Sequence, residues 1–123
     1  MLLALALAPS AARAADPPAT SILAGSGAVG IDDGPGTAAT FVAPAQLTAD
    51  VRTGKIYVAD MGAQRIRAIA PDGGVTTVAG SGALNASGLW VDGGYADGPA
   101  KTARFDRPSG IAVGPNGTLY VAD

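Results

Sequence analysis

Parts of this sequence occur twice, and the repetition narrows the fold more than any other feature. Ile56-Tyr57-Val58-Ala59-Asp60 returns as Leu119-Tyr120-Val121-Ala122-Asp123, and Ala24-Gly25-Ser26-Gly27 returns as Ala79-Gly80-Ser81-Gly82. Between these marks, Asp33-Gly34-Pro35, Ala39, Phe41 and Pro44 are matched in order by Asp97-Gly98-Pro99, Ala103, Phe105 and Pro108. The second connector differs by an insertion, Leu84 to Gly94. A recurring unit of this size is a supersecondary module that buries its apolar faces only by stacking on its neighbours.

The module reads as four short strands, Gln46–Ala49, Lys55–Ala59, Arg65–Ile69 and Val75–Ala79. Arg52-Thr53-Gly54, Asp60-Met61-Gly62-Ala63 and Pro71-Asp72-Gly73-Gly74 separate them as turns, so successive strands should pair antiparallel. Arg65-Ile66-Arg67-Ala68-Ile69 alternates with period two, which puts Ile66 and Ala68 on one face and Arg65, Arg67 and Ile69 on the other. Thr20–Ala24 is a further strand candidate, and Gly110–Val113 and Thr118–Ala122, joined at Pro115-Asn116-Gly117, form the first half of another module. With 18 Gly and 9 Pro, every candidate helix after residue 14 is interrupted. The predicted fold is all-β: β-propeller blades of four antiparallel strands, forming an incomplete ring over residues 21–123. A closed ring needs at least about four blades, so the expectation is an N-terminal piece of a longer protein.

The N-terminus reads as a sorting segment. Leu2–Ala8 is an apolar run, Pro9-Ser10 interrupts it, and Ala12-Arg13-Ala14 has the small-x-small spacing of a signal peptidase site. Residues 1–14 are therefore expected to be a signal peptide, although no Lys or Arg precedes the apolar run. Residues 15–20, with Asp16-Pro17-Pro18, should form a disordered mature N-terminus, and the protein should be periplasmic or secreted. The run is shorter than the roughly 20 residues that span a bilayer.

Phe105-x-x-Pro108-x-Gly110-Ile111-Ala112-Val113 followed by Gly117-x-Leu119-Tyr120-Val121-Ala122-Asp123 resembles the NHL repeat. So does Tyr57–Asp60 followed by Arg65-Ile66-Arg67, Pro71-Asp72-Gly73 and Val75–Gly80, and the resemblance extends over Ile22–Asp123. It departs from the family at Ala63-Gln64, where NHL repeats usually carry Asn-His or Asn-Arg, and the turn there should lose hydrogen bonds. The resemblance implies a six-bladed or similar propeller that binds proteins or small ligands. Some similar propellers are metal-dependent lyases or lactonases, an alternative that would place metal ligands in later blades.

The chain has no Cys and no His, which removes thiol nucleophiles, His-based triads and Cys/His zinc sites from the sequence itself. A net charge of -2 without a basic block gives nucleic acid no electrostatic footprint. Gly25-Ser26-Gly27-Ala28-Val29-Gly30 fits G-x-G-x-x-G, but acidic Ile31-Asp32-Asp33 and Gly34-Pro35 follow where a phosphate-binding helix must open. Asp32-Asp33 and Asp92 with Asp97 are conceivable calcium ligands, and the competing reading is that Asp33 and Asp97 cap their own turns. Asp60 and Asp123, one per module, suit a turn-holding role better than catalysis, and Tyr57 and Tyr120 suit packing. Arg65 and Arg67 should lie on a solvated or inter-blade hydrogen-bonded face. Asn85-Ala86-Ser87 and Asn116-Gly117-Thr118 match the glycosylation triplet, the latter being equally a hairpin turn. No catalytic, cofactor or metal residue is assigned. The contact candidates are Trp90, Asp92, Tyr95 and Asp97, on or beside the insertion, because binding residues concentrate on loops held by rigid strands. Trp90 could equally fold back to cover the sheet. The partner, a protein or a small molecule, is not specified by these residues.

Overall fold

A computed structural model describes the backbone of residues 2–5 and the whole of residues 19–123. The elements are β1 (Leu2–Leu5), β2 (Thr20–Ala24), β3 (Pro44–Asp50), β4 (Lys55–Asp60), the short 3-10 helix η1 (Met61–Ala63), β5 (Arg65–Ile69), β6 (Val75–Ala79), β7 (Gly110–Val113) and β8 (Leu119–Ala122). The proposed cleavage site after Ala14 lies outside the described residues. β1 pairs antiparallel with β2, and Thr20, read both as the end of the irregular N-terminus and as the start of a strand, belongs to that pair opposite Leu5.

β3 to β6 form one sheet in sequence order, every neighbour antiparallel, with Thr48 opposite Tyr57, Tyr57 opposite Ala68 and Ala68 opposite Thr76. This meander is the expected module. The turns hold it in register. After β3, the Asp50 carboxylate accepts from the Arg52 amide and guanidinium and from the Thr53 hydroxyl. After β5, the Ala70 amide donates to Gly74 O while Gly73 takes a positive φ of 88°. β7 and β8 form a hairpin whose turn is closed by Gly114 N–H donating to Thr118 O, with Thr118 N–H donating to Asn116 Oδ1 inside it. Gln46 on β3 ties this hairpin to the sheet, its Oε1 accepting from Ile111 N–H at 2.8 Å.

The four-stranded sheet is covered on both faces. Loop L1, residues 25–43, covers one face, where Ala39 and Phe41 pack with Ala24, Val58, Ile69 and Val75. The β7–β8 hairpin and loop L2, residues 80–109, cover the other, where Ile66 and Ala59 meet Ile111, Phe105, Leu119 and Val121. The period-two alternation of β5 therefore sorts its residues between two cores rather than between core and water, and Ile66 to Ile69 are all buried. Several of these core positions are alanines, and a buried Val, Leu, Ile or Phe contributes about 1.5–3 kcal/mol each. Such a thin apolar core leaves much of the specificity to hydrogen bonds between loop and sheet.

Candidate functional site

L1 and L2 leave the outermost strand of one module and enter the innermost strand of the next. They adopt one conformation twice. Ala38 and Ala39 N–H both donate to Pro35 O, as Thr102 and Ala103 N–H do to Pro99 O. Gly30 N–H donates to Phe41 O and Gly94 N–H to Phe105 O; Thr40 N–H donates to Asp32 O and Arg104 N–H to Ala96 O. Gly34 and Gly98 share a φ of 143°, a backbone geometry that side chains resist.

Arg67, at the middle of β5, is fully buried and joins the sheet to L1. Its Nη2 donates to Asp33 Oδ1 and to Asp32 O, both at 2.8 Å, and its Nη1 donates to Thr40 O at 3.0 Å. Its Cζ lies 5.0 Å from the centre of the Phe41 ring. Asp33 does not cap its own turn, as the sequence suggested. Its second oxygen accepts from Thr77 N–H on β6, and these bonds hold its carboxyl below the usual range against the opposing effect of burial. Both of its oxygens are thus engaged with the protein.

Asp60 ends β4 beside Arg67 Nη1, at 3.4 Å. It accepts from Val42 and Ala43 N–H, while burial pushes its carboxyl upward. Asp123 makes the counterpart bond, accepting from Asp106 N–H at 2.9 Å. The strand-terminal Asp is a clamp on the incoming loop, in keeping with its appearance once per module.

Gln64, at the break in the family pattern, makes its side-chain bonds outside the turn, which itself has no side-chain cap. It adopts the left-handed conformation after η1, is buried, donates from Nε2 to Val91 O, and accepts at Oε1 from Arg107 N–H at 2.6 Å. The family departure thus bridges the first module to the interior and the far end of the second loop. Gln64 was legible only as a mismatch, because nothing local indicates where a long amide will reach.

That bridge seats the insertion. Val91 is buried and its N–H donates to Gly62 O; Leu84 faces Val91 across a single bridge. Trp90 lies against Gly62, where a Cβ would come within 2.9 Å of the indole ring, yet 40% of the residue remains exposed. Trp90 therefore both covers the 3-10 turn and presents an aromatic edge to solvent. Tyr95 and Asp97 meet each other, Tyr95 Oη donating to Asp97 Oδ2 at 3.5 Å, and Tyr95 is 84% exposed. Asp92 is exposed and its carbonyl accepts from the Arg104 guanidinium. Of the four candidates only Tyr95 and Asp97 are joined by a hydrogen bond.

A cleft of about 360 Å³, lined by Ile31, Asp33, Arg65, Thr77, Ser81 and Lys101 among others, opens between L1 and L2, and none of the four candidates lines it. Arg65 donates from Nη2 to Gly82 O, and its Nη1 is buried without a partner. Burial and the neighbouring Arg67 charge lower its pKa. Sequence reasoning singled out Arg65 for its face but not for this cleft, which exists only once both loops are in place.

Comparison with known proteins agrees with this architecture. A nutrient binding protein from Bacteroides thetaiotaomicron described as auxiliary is 30% identical, with a TM-score of 0.66 over 83% of this chain and 25% of its own. A protein of unknown function from the same organism is 25% identical, with a TM-score of 0.71 over 86% of this chain and 25% of its own. An auxiliary nutrient binding protein from Bacteroides ovatus is 28% identical, with a TM-score of 0.59 over 76% of this chain and 23% of its own. The chain thus spans about a quarter of the length of these structures. Nothing among curated proteins matches it. Residues 37–123 match the family model described as the teneurin NHL domain, and the chain, with its in-order four-stranded module and repeated loop, belongs to that NHL-repeat propeller family.

Proposed function

We propose that this propeller scaffold is exported and binds a ligand or partner through its inter-module loops, with the exposed edge of Trp90 as the principal contact. The observation that carries the reading is a half-exposed indole held against a turn: its neighbour Val91 is fixed through its N–H to Gly62 O and through its carbonyl to Gln64 Nε2. A pre-ordered aromatic gives contact area with little entropy lost on binding. The kinship to auxiliary nutrient binding proteins supports a soluble nutrient as ligand class.

Trp90 is the single Trp of residues 1–123, and the part of the emission that Trp90→Phe removes reports on this site. Titration of the full protein with a panel of mono- and oligosaccharides, amino acids and short peptides is expected to shift Trp90 emission with at least one member. Trp90→Ala is expected to weaken that member's binding by about tenfold or more, the loss of a central aromatic contact. If binding, followed by calorimetry, survives Trp90→Ala while stability falls, the indole serves only as cover and the site is elsewhere.

Export rests on the apolar Leu2–Ala8 run and the Ala12-Arg13-Ala14 spacing. Protein recovered from cells is expected to begin at Ala15, and recovery of the intact first 14 residues would refute it. Cleavage there removes the β1 partner of β2 and leaves that edge open to a strand from elsewhere in a longer chain.

A further inference from the structure

L1 is an occupied guanidinium receptor. A carboxylate (Asp33), two carbonyls (Asp32 and Thr40) and an aromatic face (Phe41) surround the Arg67 guanidinium, and Thr77 closes the far side of the carboxylate. L2 repeats most of the loop's backbone bonds, although Arg104 O also accepts from Ala96 N–H at 3.4 Å where Thr40 O accepts from Arg67, and it carries the counterpart groups: the Asp97 carboxylate, the carbonyls of Ala96 and Arg104, and the Phe105 ring. Burial separates the two copies. Thr40 and Phe41 are buried, whereas Arg104 is exposed and Phe105 only half-buried. Asp97 is exposed, as is its counterpart Asp33, but where Asp33 makes an ion pair at 2.8 Å Asp97 accepts among the described residues only the 3.5 Å bond from Tyr95.

We propose that L2 is a receptor for an arginine on the third strand of a further four-stranded module, supplied by continuation of this polypeptide past Asp123. The inference rests on the propeller reading. Carboxylate plus carbonyls around a planar fork select guanidinium over ammonium, because the donors of Lys cannot be spread in one plane. The strand source follows from L1, where the arginine comes from the middle of β5, seven residues after the strand-terminal Asp60. The same interval places the predicted arginine about seven residues beyond Asp123. The solved relatives, more than three times as long as this chain, leave ample length for such a module. Ala100 stands where L1 has Gly36, at which a Cβ would come within 2.7 Å of the Leu23 and Gly73 carbonyl oxygens, so the two loops cannot pack identically there.

The test uses the full-length chain. Asp97→Asn and Asp33→Asn are compared for their shift in urea midpoint, and each is combined with Arg→Lys at its arginine, Arg67 or the downstream one. The expected result is two comparable midpoint shifts. In each double variant the combined loss should fall short of the sum of the single losses, as for residues in direct contact. An Asp97→Asn shift within error of zero, additive losses at the second site, or no arginine on the third strand after Asp123 would each overturn the proposal. Hydrogen exchange on the same protein separates this failure from that of the propeller reading. Protection of β7 and β8 by further strands with an insensitive Asp97 sinks the receptor alone, whereas absence of that protection sinks both.

Discussion

Replacing Arg67 by Met is expected to lower the stability of the protein by about 3–5 kcal/mol, the range for leaving one member of a buried ion pair without its partner. Met keeps much of the volume over Phe41, so the loss reports polar contacts rather than a cavity. Two carbonyls on L1 and the Asp33 and Asp60 carboxylates each lose the charged donor, while Asp33 keeps Thr77 and Asp60 keeps the Val42 and Ala43 amides. Against a typical domain stability of about 5–15 kcal/mol, a loss of this size is read directly in the urea midpoint. The deficit should depend on pH. Burial already holds the Asp60 carboxyl above its unfolded value of 3.8, and loss of the Arg67 charge raises it further. A carboxyl whose folded pKa exceeds its unfolded pKa binds more protons in the folded state, so stability falls as pH rises between the two values. The Arg67→Met deficit is therefore expected to shrink as pH is lowered through the folded pKa of Asp60, and to reach its full size above it. A deficit under about 1 kcal/mol at neutral pH, or one that grows on acidification, would show that Asp60 does not depend on Arg67. Adding Asp60→Leu should recover only part of the loss, because the Val42 and Ala43 amides would then be left without their acceptor.

The same network shows how far sequence reading reached. Four strands in order were legible because turn residues and period-two runs are local signals, and the observed strands begin or end within two residues of the expected ones. The sharing of a face by Arg65 and Arg67 was legible for the same reason. That Arg67 is fully buried while Arg65 borders a cleft was not, because burial of both sheet faces is decided by L1 and L2, distant in sequence. Asp33 was misassigned to its own turn because Asp-Gly-Pro is a local turn signal, and the carboxylate instead finds Thr77 and Arg67, more than thirty residues away. Gln64 was visible only as a break in a family pattern. Trp90 was legible as a candidate because a large aromatic on an insertion is unusual in a chain with only 5% aromatic residues, but the fit of its ring to Gly62 required the fold.

Gly80 joins the sheet to L2, and Gly80→Ala is expected to destabilise the protein by about 3 kcal/mol or more, although it adds one methyl group. Two costs combine. Its φ of 97° is one that a side chain resists, at roughly 1–2 kcal/mol. A Cβ there would also overlap the Gln64 carbonyl oxygen and come within 2.9 Å of Arg65 Cα. These are backbone atoms at the start of β5, and they cannot give way cheaply, because the Gln64 side chain is bonded to both Val91 O and Arg107 N–H. Gly88→Ala supplies the control: its φ of 71° is also positive, but its Cβ would meet nothing within 4 Å, so only the conformational cost of about 1 kcal/mol remains. Urea midpoints should separate the two variants by at least about 1.5 kcal/mol. Equal losses would mean that the Gly80–Gln64 contact imposes no constraint. Trp90 fluorescence gives the functional half of the result. Displacement of Gln64 loosens Val91 and with it the indole on Gly62, so Gly80→Ala should red-shift the emission of the folded protein while Gly88→Ala leaves it in place. A glycine ten residues from the indole would then control its seating through the backbone of a neighbouring strand, the link between repeat architecture and the proposed contact surface.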